Sequence, residues 1–353
     1  MATTKEQKII TADELKQFIM AVSLKHGVSQ EDSKIFADSL VDANLAGIDT
    51  HGVTRLSIYL KRIKLGLINP KPQMKFEQKF PTAAILDADN GLGQVAGVKA
   101  IKKAVEIAQE FGVSAVGVKH SQHFGALSYY CNIAAKGEAI AFAYTNAEPA
   151  LPPWGSYKAY FGTNPIAMGV PGGNGNPILI DLSTSIVARG KIISASKQKT
   201  PIPEGWALDP EGNPTTDPDK ALTGSVLTMA GPKGYALAMM VDIMSGVLSG
   251  SGNGKNVHSM YKDLSHPAEV GHFFICLNIE AFMKKEEFFN RIENMKDDIK
   301  NSAKRQGVDE IRIPGERGVK TRAERLKSGI HISKDVVEEL KTLAKENGIN
   351  FSI

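Results

Sequence analysis

Apolar residues in the first part of the chain recur at the spacing of an amphipathic helix. They fall at i, i+3, i+4 and i+7: Leu15, Phe18, Ile19 and Val22. Residues at this spacing share one helix face, so helices are predicted across residues 11–46, with Thr11 as the first N-cap and a break at Gly27. A third helix is predicted over Leu56–Gly66, before a linker that contains prolines.

Beyond residue 80 the pattern changes to short apolar runs, which are typical of buried strands. Strands are predicted at Ala83–Asp87, Ala115–Val118, Ala139–Tyr144, Ile178–Ile180 and His272–Asn278. The segment Val98–Phe111 has apolar residues at a 3.6-residue period, so a βαβ unit is expected around it. The alternation of strands and helices indicates the α/β class.

Three later segments are predicted to be helical. They are a strongly apolar helix that begins near Gly231, a charged amphipathic helix at 284–305, and terminal helices within 319–353. Met239, Met240 and Met244 of the apolar helix are predicted to fill the core. Residues 190–222 contain many prolines and are expected to form an ordered excursion outside the core sheet.

The glycines between the first two predicted strands follow a GxGxxxG spacing: Gly91, Gly93 and Gly97. A Rossmann fingerprint has GxGxxG, and its second strand ends in an acid that holds the ribose. Here that strand ends in Val118-Lys-His. A glycine turn over residues 91–97 that allows close helix packing is therefore favoured over a Rossmann fingerprint.

Composition limits the classes of function. The chain has 353 residues, of which 42% are apolar and 23% charged, as expected for a globular protein with two domains or one domain with an insertion. A net charge of +4 is spread thinly, so nucleic-acid binding is not expected. Apolar runs fall short of the ~20 residues that span a bilayer, so no membrane span is expected.

Two cysteines, Cys131 and Cys276, lie inside apolar runs and are predicted to be buried thiols. No CxxC or HExxH spacing occurs, so no metal site is expected. The N-terminal segment has no apolar stretch of the kind found in signal peptides. The expected location is therefore the cytoplasm.

Polar side chains follow the predicted strands. His120 and His123 follow the second strand, Asn146 follows the third, and a segment with three hydroxyls begins at Asp181. Strand ends of α/β folds are where ligand-binding loops gather. The Asp181 segment suits a ribose or phosphate, although a strand-ending helix cap is an equal alternative. These side chains predict an enzyme pocket.

Two further candidates lie in the break before the third helix. Arg55 could bind a carboxylate through two parallel hydrogen bonds, and His51 could move a proton at neutral pH. The alternatives are a capping histidine with a solvated arginine, and a structural role for His123. Together the candidates fit hydride transfer on a small 2-oxo or 2-hydroxy acid, and they also fit a lyase or isomerase acting on such an acid.

Several motifs, in order, resemble one known family. They are DTHGVTR (49–55), LDADNGLGQVAG (86–97), HSQHFGALSYY (120–130), PPWGSYKAYFGTNPIA (152–167), IDLSTS (180–185), GPKGYALAMMVD (231–242) and IPGER (313–317). The chain thereby resembles the malate/L-lactate dehydrogenase family, which also contains sulfolactate, ureidoglycolate and 2,3-diketogulonate oxidoreductases.

The resemblance implies a non-Rossmann nicotinamide-binding α/β domain with a mixed sheet, plus a helical domain formed from both chain ends. The expected boundaries are 1–75 for the N-terminal part of the helical domain, 76–310 for the α/β domain, and 311–353 for the returning helices. It also implies a homodimer and NAD as cofactor, with NADP as the alternative.

The resemblance further implies roles for individual residues. His51 or His123 is the proton donor, Arg55 holds the substrate carboxylate, and Tyr59 lies one helical turn beyond it. Cofactor contacts are implied for Asn146, Asp181, Leu182, Ser183, Thr184, Ser185, Ile186, Val187, Pro232, Lys233, Gly315, Glu316 and Arg317.

The function predicted from these motifs is hydride transfer between a nicotinamide cofactor and a malate/L-lactate-type 2-hydroxy acid. A ureidoglycolate dehydrogenase is the second prediction, because residues 202–218 and 259–264 resemble that branch. A non-catalytic cofactor-binding protein on the same fold is the alternative from another class.

Overall fold

The computed structural model describes residues 7–351, which contain a central mixed sheet, helices on both sides of it and two small sheets. The strands are β1 (Gln7–Ile10), β2 (Lys75–Phe80), β3 (Ala83–Asp87), β4 (Val113–Ser121), β5 (Ala139–Thr145), β6 (Ile166–Val170), β7 (Ile178–Leu182), β8 (Ala207–Leu208), β9 (Pro214–Thr215), β10 (Ser225–Val226), β11 (Val270–Asn278) and β12 (Ile330–Ser333).

The α-helices alternate with these strands through most of the chain. They are α1 (Ala12–Lys25), α2 (Gln30–Leu45), α3 (Leu56–Lys64), α4 (Gly93–Phe111), α5 (Leu127–Lys136), α6 (Arg189–Gln198), α7 (Pro218–Thr223), α8 (Pro232–Asp242), α9 (Lys285–Lys300), α10 (Glu316–Ser328) and α11 (Lys334–Asn347). Two short 3₁₀ turns, Asp49–His51 and Val53–Arg55, connect α2 to α3, and a π-helical turn, Ile243–Leu248, extends α8.

The central sheet has seven strands in the order β2-β3-β4-β11-β5-β6-β7. β3 and β4 pair in parallel through the crossover helix α4, while the other neighbouring strands pair antiparallel. The sheet is therefore mixed, and the α/β class and the βαβ unit predicted from the sequence are confirmed.

The first helix forms as its sequence predicts. Thr11 and Glu14 make a reciprocal capping box at the N-terminus of α1, which satisfies amides that the helix itself leaves unpaired. The predicted apolar face of α1 is buried, from Leu15 to Val22.

Both chain ends contribute to one hydrophobic core. It contains Leu15 and Phe18 of α1, and Val337 and Leu340 of α11. β1 and β12 also pair antiparallel, with Gln7 opposite Ser333. The prediction of helices alone in 319–353 was wrong here, because β12 interrupts them; a strand of four residues gives little periodicity of its own.

Two strands of the central sheet were not predicted from the sequence. All six residues of β2 are exposed, so this edge strand has no apolar run that would mark it. β6 is short and includes a glycine. β4 and β7 are also longer than predicted, so His120 and Asp181 lie within strands and not beyond them.

The glycine segment is helical earlier than predicted. α4 begins at Gly93, so a turn continuing to Gly97 was wrong. A Cβ atom on Gly97 would lie 2.5 Å from the Tyr130 ring, and one on Gly93 would lie 2.3 Å from the Gln122 carbonyl oxygen. Both glycines therefore allow close packing of α4, which agrees with the packing interpretation.

The apolar helix α8 is not buried as predicted. Met239 and Met240 are 43% and 38% exposed, and Val247 and Leu248 of the following π-helical turn are 59% and 58% exposed. High apolar content alone indicated burial, but the chain leaves this face uncovered.

Cys131 and Cys276 are buried free thiols, as predicted. None of the helices within residues 7–351 has the length and apolar character needed to cross a bilayer.

The proline-rich excursion is ordered and has its own small core. It contains α6, α7 and a three-stranded sheet in the order β10-β8-β9. Ile192, Ile202 and Ala221 are buried together within it. This subassembly places the start of α6 against a cavity that the α2–α3 turn also lines.

Candidate active site

A cavity of about 790 Å³ lies where the α2–α3 turn, the β4–α5 connection, the end of β7 and the start of α6 meet. Its volume is within the range of ~300–1,000 Å³ that is usual for small-molecule sites. The residues predicted as functional that line it are His51, Arg55, His123, Asn146, Asp181, Leu182, Ser183 and Arg317. The fold thus brings predicted residues from five separate segments of the chain to one cavity.

His51 and His123 face each other across this cavity. Their ring centroids are 5.7 Å apart and the ring planes differ by 20°. The Tyr59 hydroxyl lies 2.5 Å from Nδ1 of His123, and the Thr50 hydroxyl lies 3.0 Å from Nδ1 of His51. Each ring is therefore oriented through Nδ1, which directs its Nε2 away from that partner.

The surroundings of both histidines favour the neutral imidazole by lowering the pKa of each ring. Enclosure by the cavity walls, followed by repulsion from Arg55, lowers the pKa of His51 to about 4. Burial, followed by repulsion from His51 and Arg55, lowers the pKa of His123 well below its ordinary value. Burial disfavours the charged imidazolium in each case. A pair of neutral imidazoles is suited to accept a proton.

Arg55 is fixed beside the two histidines. Its Nε donates to the Thr50 carbonyl at 2.6 Å, Nη1 contacts the Tyr261 hydroxyl, and its guanidinium carbon lies 5.2 Å from the centre of the Tyr261 ring. Burial lowers its pKa, but an arginine stays protonated in proteins. The cavity therefore holds a permanent positive charge next to two neutral bases.

The turn that carries His51 and Arg55 is held by residues not predicted from the sequence. Arg325 of α10 makes two hydrogen bonds to the Asp49 carboxylate, at 2.6 and 3.0 Å. Asn44 donates to Asp49 at 2.8 Å and accepts from the Val53 amide at 2.9 Å. A Cβ on Gly52 would lie 2.2 Å from the Asn44 side-chain oxygen, so glycine is required there.

The segment that begins with the last two residues of β7 divides between the cavity and the protein interior. Asp181, Leu182 and Ser183 line the cavity, and the Asp181 carboxylate accepts from the Ser128 amide at 2.8 Å, at the start of α5. The Thr184 hydroxyl donates to the Thr163 carbonyl, and the Ser185 hydroxyl to the Val187 carbonyl. These last contacts fix the backbone, and Val187 is part of a buried core.

Asn146 has both ends of its side-chain amide engaged. Nδ2 donates to the Gly252 carbonyl at 2.7 Å, and Oδ1 accepts from the Gly271 amide at 2.9 Å. This residue lines the cavity while it ties β5 to the β11 region.

The remaining predicted cofactor residues, among the described part of the chain, lie outside the cavity lining: Ile186, Pro232, Lys233, Gly315 and Glu316. Pro232 and Lys233 are exposed in the first turn of α8. Glu316 forms an ion pair with Lys300 at 2.5 Å and accepts from the Ile313 amide at 3.1 Å. Glu316 and Arg317 are the first two residues of α10.

Several charged residues that line the cavity were not predicted from the sequence. Arg189 and Lys191 line it, and Arg189 donates to Glu148 at 2.9 Å. Glu148 lies two residues after Asn146, and Arg189 two residues after Val187, so proximity to the predicted segments was the available signal. His120 was also a candidate, but it does not line this cavity; its Nδ1 lies 3.0 Å from the Asp87 carboxylate.

The sequence is similar to one known family and to several known proteins. The family described as malate/L-lactate dehydrogenase matches residues 10–341. The L-sulfolactate dehydrogenase of Methanocaldococcus jannaschii is 41% identical over 345 residues, with 97% of this chain and 98% of that protein covered. The NAD(+) ureidoglycolate dehydrogenase of Escherichia coli K12 is 35% identical, with 94% of each covered.

A solved structure supports the same relationship. Malate dehydrogenase from Entamoeba histolytica superposes with a TM-score of 0.94 and is 31% identical, with 99% of this chain and 100% of that chain covered. The match to the family extends over nearly the whole chain, and the family resemblance drawn from the motifs is confirmed. The chain belongs to the malate/L-lactate dehydrogenase family.

Proposed function

We propose that the cavity is where this chain, a nicotinamide-dependent oxidoreductase of small hydroxy acids, binds its substrate and transfers a proton during hydride transfer. The observation that carries the proposal is the grouping of one fixed arginine and two neutral histidines in a single cavity. The arginine suits a carboxylate, and a neutral imidazole suits the proton of a neighbouring hydroxyl.

The lining residues fit a nicotinamide dinucleotide beside the substrate. Leu182 is 41% exposed and offers an apolar surface to a ring, the Ser183 hydroxyl lies next to it, and Arg317 supplies a cation for a phosphate. When bound, this cofactor accepts the hydride in oxidation and supplies it in reduction. NAD is the cofactor we assign, with NADP as the alternative.

In the oxidation direction Arg55 pairs with the substrate carboxylate through its guanidinium. The substrate hydroxyl then donates its proton to Nε2 of His123 or of His51, since Tyr59 and Thr50 engage the other nitrogen of each ring. A hydroxyl partner can both donate and accept, so it accommodates the neutral and the protonated ring. In reduction the protonated ring returns the proton to the substrate oxygen.

Binding of the substrate carboxylate also raises the pKa of both histidines. Part of the lowering of both pKa values comes from the positive charge of Arg55. A carboxylate placed on Arg55 neutralises that charge, so the imidazole gains its proton more readily once substrate is bound.

We favour a malate-type acid, with two anionic groups, over lactate. Arg189 and Lys191 line the same cavity as Arg55, and either suits a second carboxylate or a sulfonate. Ureidoglycolate remains the second candidate, on the resemblance of residues 202–218 and 259–264.

A homodimer is proposed for the assembly, with the cytoplasm as its location. The uncovered apolar face of α8 and the π-helical turn supports the dimer, because contiguous exposed apolar surface marks association sites. The domain boundaries 1–75, 76–310 and 311–353 are likewise a proposal, supported by the core that both chain ends share. Sedimentation of wild type and of Val247→Glu would test the dimer; equal masses for both would contradict this surface.

The function is tested by following absorbance of the reduced nicotinamide. NADH and NADPH are each offered with oxaloacetate, sulfopyruvate and pyruvate, and ureidoglycolate is offered with the oxidised cofactors. We expect oxaloacetate or sulfopyruvate to give a higher kcat/KM than pyruvate. A higher kcat/KM for pyruvate would contradict the proposal that the cavity binds a second anionic group of the substrate. If no acid reacts and neither cofactor binds, the non-catalytic alternative is favoured.

A further inference from the structure

The loop before β11 brings together two histidines and an aspartate that the proposed reaction does not use. Nδ1 of His266 lies 3.0 Å from one carboxylate oxygen of Asp263, and Nδ1 of His258 lies 3.0 Å from the same oxygen. The two imidazole rings are stacked, with centroids 4.9 Å apart and planes within 21°. One ligand atom from each of the three residues lies within 4.8 Å of the others.

A buried arginine fixes the backbone of this loop through hydrogen bonds to two of its carbonyls. Arg62 of α3 is 1% exposed, and it donates to the Asp263 carbonyl at 2.7 Å and to the His266 carbonyl at 2.8 Å. The Asp263 carboxylate also accepts from the amides of Ser265 and His266, at 2.9 and 3.1 Å. The His258 amide donates to the Ala268 carbonyl at 2.9 Å. The three side chains are therefore presented by a rigid frame.

The separations match those of ligands around one ion. A tetrahedral Zn²⁺ with bonds of ~2.0 Å has ligand atoms about 3.3 Å apart, and the contacts here are 3.0 Å. The side chains are partly open, with 32%, 25% and 62% exposure for His258, Asp263 and His266. An ion would thus have three protein ligands and room for water, as in open zinc sites.

We propose that His258, Asp263 and His266 form a binding site for a divalent transition-metal ion, with Zn²⁺ as the preferred member of that class. Two imidazole nitrogens and one carboxylate oxygen suit Zn²⁺, Ni²⁺ or Co²⁺, whereas Mg²⁺ and Ca²⁺ prefer oxygen ligands throughout. On binding, each ring keeps its proton on Nε2 and gives its Nδ1 lone pair to the ion. No electron transfer is involved.

The site is connected to the catalytic cavity. His258 lines that cavity, and Tyr261, which contacts Arg55, lies between the ligands in sequence. A bound ion cross-links positions 258, 263 and 266, so it fixes the segment that carries Tyr261. The ion therefore stabilises the segment whose Tyr261 contacts Arg55, and it takes no part in hydride transfer.

The test is isothermal titration of the chelator-treated protein with ZnCl₂, for wild type, His266→Ala and a matched control. His266 lies outside the cavity lining of the described chain, and its side chain is exposed, so its loss should leave the fold intact. His331→Ala is the control because His331 is an exposed histidine on β12, in the other part of the chain. Thermal unfolding without metal checks the fold of each variant.

We expect one tight Zn²⁺ equivalent per chain in wild type and in His331→Ala. His266→Ala should bind at least ~10-fold more weakly, since losing even an outer-sphere partner of a metal ligand costs that much. Added Zn²⁺ should raise the unfolding temperature of wild type and not of His266→Ala, and excess MgCl₂ should not displace it. Equal affinity in wild type and His266→Ala, or no binding by wild type, would overturn the proposal.

Discussion

The hydroxyl of Tyr59 lies 2.5 Å from Nδ1 of His123, and Tyr59 is 1% exposed. The tyrosine is locked in the core of the helical part of the chain, where its ring packs edge-on against Phe36 with centroids 5.4 Å apart. A hydroxyl on a side chain buried in this way favours one orientation of the imidazole. Tyr59 is thus a positioning residue for a proposed catalytic histidine.

Tyr59→Phe removes the hydroxyl and keeps the ring, so the core should stay packed. Without its partner His123 can rotate, and we expect kcat to fall about 10-fold or more while the KM for the acid changes little. Steady-state kinetics and the pH profile of kcat measure the effect. Tyr157→Phe, at a 42% exposed tyrosine, is the control. A pH profile and kcat equal to wild type would remove Tyr59 from this role.

The two histidines can be separated by single substitutions. Replacing the residue that transfers the proton with alanine should lower kcat by ~10²–10⁴-fold, which is the usual contribution of a general acid–base group. We expect this for one of His51→Ala and His123→Ala, and a smaller loss for the other. His120→Ala, which removes the Asp87 contact, is the matched control. If both His51→Ala and His123→Ala turn over like wild type, neither transfers the proton.

Arg55→Lys should raise the KM of every 2-hydroxy acid by about 10- to 100-fold, because a charge-assisted hydrogen bond contributes about 1.5–3 kcal/mol. Lysine keeps the charge but cannot form the two-pronged contact with a carboxylate. Initial rates over a wide range of acid concentration give the constant. Arg305→Lys, at an exposed arginine, serves as the control. An unchanged KM would show that the carboxylate is held elsewhere.

The lowered histidine pKa values determine the pH dependence. Oxidation needs the neutral base, and the pKa of His51 is lowered to about 4. If His51 transfers the proton, kcat/KM for oxidation should therefore stay level as the pH falls from 8 through the ordinary histidine range and decline only near pH 4. The pKa of His123 is also lowered, so the same direction holds for it.

Reduction has the opposite sign, because it needs the protonated ring. Above the lowered pKa the protonated fraction of the free enzyme falls tenfold per pH unit, so kcat/KM for reduction should fall across the neutral range. Profiles in both directions check this. An acid limb near pH 6.5 in oxidation would indicate a histidine with an unperturbed pKa.

The parts of the site that could be predicted are those encoded in contiguous motifs. His51, Arg55, His123 and Asp181 stand next to turn-forming residues or strand ends, and each lines the cavity. Local sequence reports such positions because turns and strand ends have their own residue preferences.

The parts that could not be predicted depend on distant contacts. Tyr261 reaches Arg55 from a position 206 residues away, and Glu148 reaches Arg189 across 41 residues. The exposure of Met239 and Met240 depends on what covers α8, which an apolar pattern does not specify. Thr184 and Ser185 have hydroxyls suited to a ribose, yet backbone carbonyls accept their hydrogen bonds.

The contact between Arg325 and Asp49 joins residues 276 positions apart. During synthesis the turn that carries His51 and Arg55 emerges early, but the guanidinium that anchors it arrives only with α10. Until then Asp49 lacks this partner, and the turn is held by the contacts of Asn44 with Asp49 and with the Val53 amide. A nascent chain therefore completes the anchoring of the turn that carries Arg55, the proposed carboxylate ligand, only once α10 has been made.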